Sequence, residues 1–292
     1  MEDTHKILFS RLTNKMLMYD AGKGKIKEEV RELYKNLFRK LKILEIESGI
    51  YYRAHKIDKL KDVLRDKKIV KTKEGKVCGF DEKNSGVPLR EEDRKPGRLN
   101  RQGEPVLYLA NDIITCLYEV KPKLEEYISV AMFEIKDSIR ILDFTPFCKT
   151  DYIDFFNIDV VHEFGQKGYN FQELFFGIQK ILTMPDFQEE DYQISNAVAD
   201  IIKEVSHELG VDGISYKSFY TNGNNMALWN YDNVKFINDS SQVYSFCKDS
   251  PCEIFLQLND GDVICKEFLP NNIVTNINTN ENRKELIYNL FH

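Results

Sequence analysis

Two stretches near the N-terminus carry the apolar spacing of amphipathic helices. This spacing predicts helices over residues 4–20 and 26–47, separated by the glycine-containing turn at 21–25. In the second stretch, apolar side chains recur at three- and four-residue steps and share one face: Ile26, Val30, Leu33, Tyr34, Leu37, Phe38, Leu41 and Leu44. We therefore predict a helical N-terminal extension over residues 1–48.

Shorter apolar runs predict the strands of a following domain. They are residues 49–57 (GIYYRAHKI), 105–110 (PVLYLA), 127–135 (YISVAMFEI), 138–144 (SIRILDF), 211–218 (VDGISYKS) and 225–230 (NMALWN). A helix is predicted over about 192–209, with an apolar stripe and a natural stop at Gly210. Residues 77–105 are predicted to be loop-like, and 151–184 to form short helices. These elements predict an α+β domain over residues 49–231.

The C-terminal part has its own pattern. Residues 252–270 (CEIFLQLNDGDVICKEFLP) predict a hairpin, with Asp260-Gly261, a pair typical of such turns, between its two strands. We predict that residues 232–292 form a β-rich tail that packs on the core.

Composition excludes several classes of protein. With 42% hydrophobic and 30% charged residues, the chain is expected to fold rather than to be disordered. The formal charge is -6, and the basic segment at 56–76 reads as a solvated helix and loop, so no nucleic acid is expected as a partner except through a protein partner. The N-terminus lacks an apolar signal-like core and no run approaches 18 apolar residues, so neither export nor a membrane partner is expected. We expect a cytoplasmic protein.

The cysteines and histidines do not have the spacing of a metal site. The six cysteines are Cys78, Cys116, Cys148, Cys247, Cys252 and Cys265, and no two of them form a CxxC pair. The five histidines are equally scattered along the chain. We predict no metal and no bound cofactor.

A few polar residues interrupt these apolar patterns. Arg53 follows two tyrosines in a strand, and Arg98 and Asn100 lie in a glycine-flanked turn before the next strand. Glu119 lies on the helix after that strand and points away from its apolar side. Taken singly, these residues also fit structural roles: Arg53 an ion pair, and Arg98 and Glu119 surface charge. Tyr108, in the strand before the helix, also fits core packing.

Taken together, these pieces resemble the RES domain family. The resemblance is carried by YYRAH at 51–55, GRLNRQGEPVLYLANDIITCLYEV at 97–120, YQISNAVADIIKEV at 192–205, GVDGISYKS at 210–218 and NMALW at 225–229. It implies an ADP-ribosyltransferase-like core of antiparallel strands with flanking helices. It also implies an enzyme that consumes NAD as its substrate, often as the toxin of a toxin–antitoxin pair with a cognate antitoxin as partner.

The resemblance assigns the site residue by residue. Arg53 and Arg98 correspond to the family's arginines and Glu119 to its glutamate, whereas either Ser195 or Ser218 fits its serine. Two positions depart from the usual pattern. Leu99 stands where the family has an aromatic residue, and Asn196 stands where it has glutamine.

These residue types suit the cleavage of NAD. Arginine can grip a phosphate through two parallel hydrogen bonds, so Arg98, with Asn100 beside it, is predicted to bind the substrate. A carboxylate such as Glu119 stabilises the positive charge that builds on the ribose as nicotinamide leaves. Nicotinamide needs no proton to leave, so no catalytic histidine is required. Tyr52 or Tyr108 is predicted to stack on a ring of the substrate.

We therefore predict that the chain cleaves NAD at the nicotinamide–ribose bond, with water or phosphate as the acceptor, as a glycohydrolase or a phosphorylase. Two alternatives stay open. One is an ADP-ribosyltransferase that modifies a macromolecule, and the other is a catalytically inactive module that binds a nucleotide. Release of free nicotinamide discriminates among the three.

Overall fold

The structure, a computed structural model, describes the backbone of residues 19–20, 22–57, 69–71, 77–122, 127–148, 165, 171–183, 189–246, 253–258, 262–269 and 272–273. Within these ranges the side chains at 69–71, 77–78, 127, 148, 171–173 and 189–191, and those after 244, are not described. Of the helix predicted over 4–20, residues 4–18 lie outside the described part. Its last two residues form a strand instead.

A mostly antiparallel sheet dominates the structure. In chain order the strands are β1 (Tyr19–Asp20), β2 (Lys25–Ile26), β3 (Ile43–Ile46), β4 (Gly49–Ile57), β5 (Ile69–Lys71), β6 (Val77–Phe80), β7 (Leu107–Ala110), β8 (Tyr127–Ile135), β9 (Ile139–Asp143), β10 (Gly213–Lys217), β11 (Asn224–Leu228), β12 (Val234–Phe236), β13 (Gln242–Phe246), β14 (Glu253–Leu258), β15 (Asp262–Leu269) and β16 (Asn272–Ile273). The large sheet has the order β16-β15-β14-β13-β8-β4-β7-β11-β10-β9-β3, and β12 also pairs with β8. Among these described strands, only β9 and β10 pair in parallel.

The helices pack against several parts of this sheet and, in one case, against each other. They are α1 (Glu28–Arg39), α2 (Glu82–Ser85), α3 (Ile113–Glu119), α4 (Phe171–Thr183) and α5 (Glu189–Leu209), with 3-10 turns at Glu91–Asp93 and Thr145–Cys148. Each described helix is too short or too polar to cross a membrane. The mixture of helices with a mostly antiparallel sheet confirms the predicted α+β class.

Helices α1 and α5 pack against each other and bury the predicted apolar faces of both. In α5 the predicted apolar stripe is buried at Ile194, Ala197, Val198, Ile201, Ile202 and Val205, and Leu209 is partly buried against the core. Full burial of each large apolar side chain contributes about 1.5–3 kcal/mol, so this pair supplies much of the core's stability. Along its rim, Glu204 pairs with Arg31 and Lys35, and Glu208 pairs with Arg39. The predicted stop at Gly210 is confirmed, since its φ is +61°.

The helix predicted over 26–47 is wrong in its second half. Helix α1 ends at Arg39, and Ile43–Ile46 form strand β3, which pairs antiparallel with β9. The apolar residues Ile43, Leu44 and Ile46 fit either periodicity in so short a run, and pairing with a neighbouring strand decides the outcome. The domain boundary predicted at residue 48 stays a prediction. The structure adds that α1 and β3, which precede it, belong to the same core and sheet as the strands that follow.

Most of the other predicted elements are confirmed. Strands β4 and β8 have the predicted bounds, and β7, β9 and β10 lie within the predicted runs. Strand β11 begins one residue before its predicted run of 225–230. The predicted hairpin is the pair β14–β15, whose turn residues 259–261 lie outside the described part. The segment 77–105 is less irregular than predicted, because it contains β6 and α2. Of residues 151–184, helix α4 is described and 151–164 are not.

Gly213 provides a test of the central strand pairing, because it lies directly opposite Leu228 in the β10–β11 pair. A methyl group at this position would overlap the carbonyl oxygen of Ala227 and come within 2.9 Å of Cα of Leu228. We expect Gly213→Ala to lower the free energy of unfolding by about 2–3 kcal/mol, as overpacking does. Urea unfolding followed by circular dichroism measures the change.

The matched control is Gly22→Ala in the β1–β2 turn. There the nearest described atom is Oδ1 of Asp20, at 3.4 Å from the added carbon. We expect this variant to change the free energy of unfolding by no more than about 0.5 kcal/mol. Equal unfolding midpoints for both variants would contradict the tight β10–β11 contact.

Candidate functional site

Helix α3 determines where Glu119 lies. Asp112 caps the start of the helix by accepting hydrogen bonds from the backbone amides of Ile114 (3.1 Å) and Thr115 (2.8 Å). The helix buries the side chains of Ile114, Thr115, Cys116 and Leu117. Glu119, in its last turn, is partly exposed, as its position on the helical wheel predicts.

The carboxylate of Glu119 is held by two hydrogen bonds to the same oxygen. Oε1 accepts from Oγ of Ser218 and from Nδ2 of Asn225, each at 2.7 Å. Ser218 directly follows β10, and Asn225 lies in β11, so both donors come from the adjacent sheet. Oε2 makes no hydrogen bond to any residue that the structure describes. One carboxylate oxygen is therefore held by two donors from the sheet, and the other has no such donor among the described residues.

Of the two candidate serines, the structure brings only Ser218 to Glu119. Ser195 is fully buried in α5, and its hydroxyl donates to the backbone oxygen of Tyr192 at 3.2 Å. Asn196 beside it is also buried. The structure therefore places Ser218 beside Glu119 and Ser195 within its own helix. Which of the two is the family serine stays a prediction.

Asn100 and Tyr108 hold the turn that precedes β7. The Asn100 amide donates to the backbone oxygens of Lys95 and Arg101, both at 3.0 Å. Its Oδ1 accepts from the Tyr108 hydroxyl at 2.8 Å, and that hydroxyl accepts from the Leu99 amide at 3.0 Å. Burial raises the pKa of Tyr108 above its usual value. Both side chains are engaged in fixing the turn, so a substrate-binding role for either stays a prediction.

Gly97 and Leu99 complete this turn. A methyl group on Gly97 would overlap Oδ1 of Asn100 and come within 2.9 Å of the Tyr108 hydroxyl, so the turn needs glycine there. Leu99 is 1% exposed and belongs to the main core. The leucine at this family-aromatic position therefore fills the core rather than facing a ligand.

Arg98 reaches across to the end of helix α4. Its Nη1 donates to the backbone oxygen of Leu182, one of the carbonyls at the C-terminal end of that helix. A guanidinium is favourable there because the end of the helix carries partial negative charge. Arg98 also lies close enough to Tyr108 to lower the pKa of the phenol, against the larger effect of burial. The Arg98 side chain therefore lies between the C-terminal end of α4 and Tyr108.

Arg53 is a half-buried cation in the same region. Its Nε donates to Nε2 of His55 at 2.9 Å, and its Nη1 is enclosed without a hydrogen-bond partner among the described residues. Burial lowers the pKa of Arg53 to about 10, although the group stays charged at neutral pH. Burial also raises the pKa of Cys116, with Arg53 opposing and Glu119 adding to that shift. Arg53 and Glu119 therefore both lie within electrostatic reach of Cys116.

Tyr52 lies on the same strand as Arg53. It is partly buried and packs against the apolar cluster built from α3, β8 and Tyr244. Its strand partner across the β4–β7 pair is Ala110. Tyr52 is therefore close to α3, and its predicted stacking on a substrate ring stays a prediction.

Sequence reasoning missed two residues that the structure places here, Asn225 and His55. In the predicted pattern Asn225 is only the first residue of an apolar strand, although an amide in such a run is a signal of a buried polar contact. His55 lacks metal-site spacing, but it stands two residues from Arg53 and hence on the same side of a strand. The described residues hold no group of three or more metal-ligating side chains.

A comparison with protein-family models places this arrangement in context. The model of the RES domain matches residues 81–248, more than half of the chain. The chain belongs to the RES domain family. The matched range includes Arg98, Glu119 and Ser218 but begins after Arg53, so the correspondence of Arg53 to a family arginine stays a prediction.

Two other comparisons add little to this RES protein. No curated protein matches its sequence. Among solved structures, a chain of the crystal structure of the M. tuberculosis MbcT–MbcA toxin–antitoxin complex is 13% identical, with 75% of this chain and 93% of that chain covered. The TM-score is 0.35, so no argument rests on this likeness.

His55 gives a pH-dependent prediction. Burial, and then the charge of Arg53, lower the pKa of His55 from 6.5 to about 4. In the unfolded chain the imidazole takes up a proton near pH 6.5, while in the folded protein it stays neutral. Its contribution to stability is therefore complete above about pH 6.5 and is lost as the pH falls towards 4, by up to about 3 kcal/mol.

We expect His55→Gln to flatten the decline in melting temperature between pH 6.5 and 4, compared with the unmodified protein. The control is His207→Gln, since His207 is exposed near the end of α5. Melts at several pH values across this window measure the difference. Parallel curves for the unmodified protein and His55→Gln would contradict a neutral, buried His55.

Proposed function

We propose that this RES protein cleaves NAD at the bond between nicotinamide and ribose, with water or phosphate as the acceptor. The observation that supports the proposal best is the carboxylate of Glu119. Ser218 and Asn225 hold its Oε1, and Oε2 makes no hydrogen bond to any described residue. A carboxylate fixed in this way can face the positive charge of a reacting ribose without first having to reorient.

The chemistry needs little more than electrostatic stabilisation. As the bond from C1′ of the ribose to the pyridinium nitrogen breaks, both electrons go to that nitrogen, and nicotinamide leaves as a neutral molecule. The ribose carbon takes on oxocarbenium character, which the negative charge of Glu119 stabilises. Water then adds at C1′ and gives up a proton, or a phosphate oxygen adds instead. Glu119 can accept the proton from water through Oε2.

The charge of Arg53 supports a phosphate-bearing substrate. The side chain is half-buried, and its Nη1 is enclosed without a hydrogen-bond partner among the described residues, which is unfavourable for a charged group. A pyrophosphate beside the guanidinium would supply the counter-charge. The further proposal that Arg98 contacts the pyrophosphate rests on the family correspondence, because its Nη1 is already committed to α4.

Three wider features of the proposal rest on the resemblance to the family. They are an ADP-ribosyltransferase-like arrangement of the core, action as a toxin with a cognate antitoxin as partner, and a cytoplasmic location. The mostly antiparallel sheet is compatible with the first. NAD is the substrate in this proposal, and no separate cofactor is required.

The first test follows NAD and its products. Purified protein incubated with NAD should release free nicotinamide, together with ADP-ribose in water or a phosphorylated ADP-ribose when phosphate is present. We expect Glu119→Gln to lower kcat by on the order of 10²-fold, because an electrostatic stabiliser of the transition state is lost. NAD binding, measured by calorimetry on the same sample, should persist.

The control for this variant is Glu47→Gln, which removes an exposed carboxylate outside the site. It should leave kcat unchanged. ADP-ribose attached to a macromolecule would favour transfer, and binding without turnover would favour an inactive nucleotide-binding module. Normal turnover by Glu119→Gln would remove the carboxylate from the mechanism.

The two serines give a second test. Ser218→Ala removes one of the two donors to Glu119, so we expect kcat to fall by about tenfold, the cost of about one hydrogen bond to a charged group. Ser195→Ala removes a hydroxyl that bonds only its own helix, so kcat should stay within about twofold of the unmodified protein. Steady-state kinetics of the two variants provide the comparison. A larger loss for Ser195→Ala would reverse the assignment.

A further inference from the structure

We propose that Asn225 is a positioning residue of the site: its side-chain amide sets the orientation of the Glu119 carboxylate and so directs Oε2 towards the substrate. This inference rests on the proposed function and assigns a role that the family's arginines, glutamate and serine leave open. Three observations support it: the pairing of strand β11, the direction of the Asn225 amide, and the other hydrogen bond that Ser218 makes.

The strand makes Asn225 a rigid donor. In β11, Asn225 lies opposite Tyr216 of β10 on one side and Ala110 of β7 on the other. The residue is 6% exposed, so water competes little for its amide. A donor paired through its backbone on both sides cannot move independently of the sheet, and hence it can fix the position of an acceptor.

The chemistry of the pair determines the orientation of the amide. Only the NH2 group of an asparagine can donate to a carboxylate, so Nδ2 rather than Oδ1 must face Glu119. The distance of 2.7 Å from Nδ2 to Oε1 is typical of a hydrogen bond to a charged acceptor. The contact therefore depends on the negative charge of Glu119 and on the neutral amide together.

Ser218 alone cannot fix the orientation of the Glu119 carboxylate. It lies after the end of β10, and its hydroxyl also accepts a hydrogen bond from the backbone amide of Tyr220 at 3.1 Å. A carboxylate held by this single donor would still turn about its last side-chain bond. With Asn225 as the second donor on Oε1, that rotation is restricted and Oε2 keeps one direction.

The kinetic experiment uses Asn225→Ala in the full-length protein. Misplacement of a reacting group by about 1 Å can cost 10²-fold in rate, so we expect kcat to fall by about 10- to 100-fold. KM for NAD should stay within about threefold, because Asn225 acts on the carboxylate rather than on substrate binding. The control Asn222→Ala removes an exposed amide from the same β10–β11 connection and should leave both constants unchanged.

A second experiment does not depend on turnover. Asn225→Asp keeps the shape of the side chain but replaces the donor with a second carboxylate beside Glu119, so the melting temperature should fall. Adding Glu119→Gln reverses the polarity of the pair, since the new amide can donate to the new carboxylate. We expect the double variant to recover most of the lost melting temperature but not the activity.

The outcomes separate the inference from the proposed function. Recovery of the melting temperature in the double variant, with a fall in kcat confined to Asn225→Ala and not Asn222→Ala, supports the positioning role. An unmodified protein that releases no nicotinamide overturns the proposed function and this role with it, while the melts still report on the contact. Normal kcat for Asn225→Ala in an active protein, or no recovery in the double variant, overturns the inference alone.

Discussion

The placement of strand β11 between β7 and β10 is the constraint on which the rest of the arrangement depends. Ala227 and Leu228 are fully buried in this strand, so its register cannot slip by one residue without turning core side chains outwards. Because β11 is antiparallel to both neighbours, it begins beside the residues at which β7 and β10 end. Helix α3 follows β7, and Ser218 follows β10, at this same end of the strands. The pairing that builds the core therefore also brings Glu119, Ser218 and Asn225 together.

The negative and positive side chains near this end of the strands differ in their hydrogen-bond partners. Glu119 and Arg53 are both partly exposed. The Glu119 carboxylate accepts from two protein donors, whereas the described partner of the Arg53 Nε is a neutral histidine. A neutral partner does not cancel the charge of an arginine, so the folded protein retains an electrostatic cost at Arg53. Such a cost is common where a protein is prepared for a charged ligand, because ligand binding relieves it. This part of the fold thus combines an anchored anion with a cation whose Nη1 has no hydrogen-bond partner among the residues that the structure describes.

The sequence predicted elements with long or strongly alternating patterns well and short ones poorly. Strands β4 and β8 and helix α5 each contain enough residues for one periodicity to prevail. Residues 43–46 are too few for one periodicity to prevail, and they form a strand because they pair with β9. At the site, the sequence supplied Glu119 with its correct exposure but could not choose between Ser195 and Ser218. Which hydroxyl lies beside the carboxylate depends on the fold, because Ser218 and Glu119 are 99 positions apart in the sequence. The role of Asn225 was hidden for the same reason.

Strand β4 has a consequence for where a self-sufficient protein can begin. The family match starts at residue 81, yet β4 (Gly49–Ile57) stands between β8 and β7 in the sheet, and β3 covers the outer side of β9. A chain started at residue 81 would therefore split the sheet into two blocks. Each block would present unpaired backbone amides and carbonyls along a fresh edge, which is the feature that leads strands to join neighbouring molecules and aggregate. The matched range and the range that completes the sheet thus have different limits, and any shortened form of this protein needs to keep both early strands to leave the sheet unbroken.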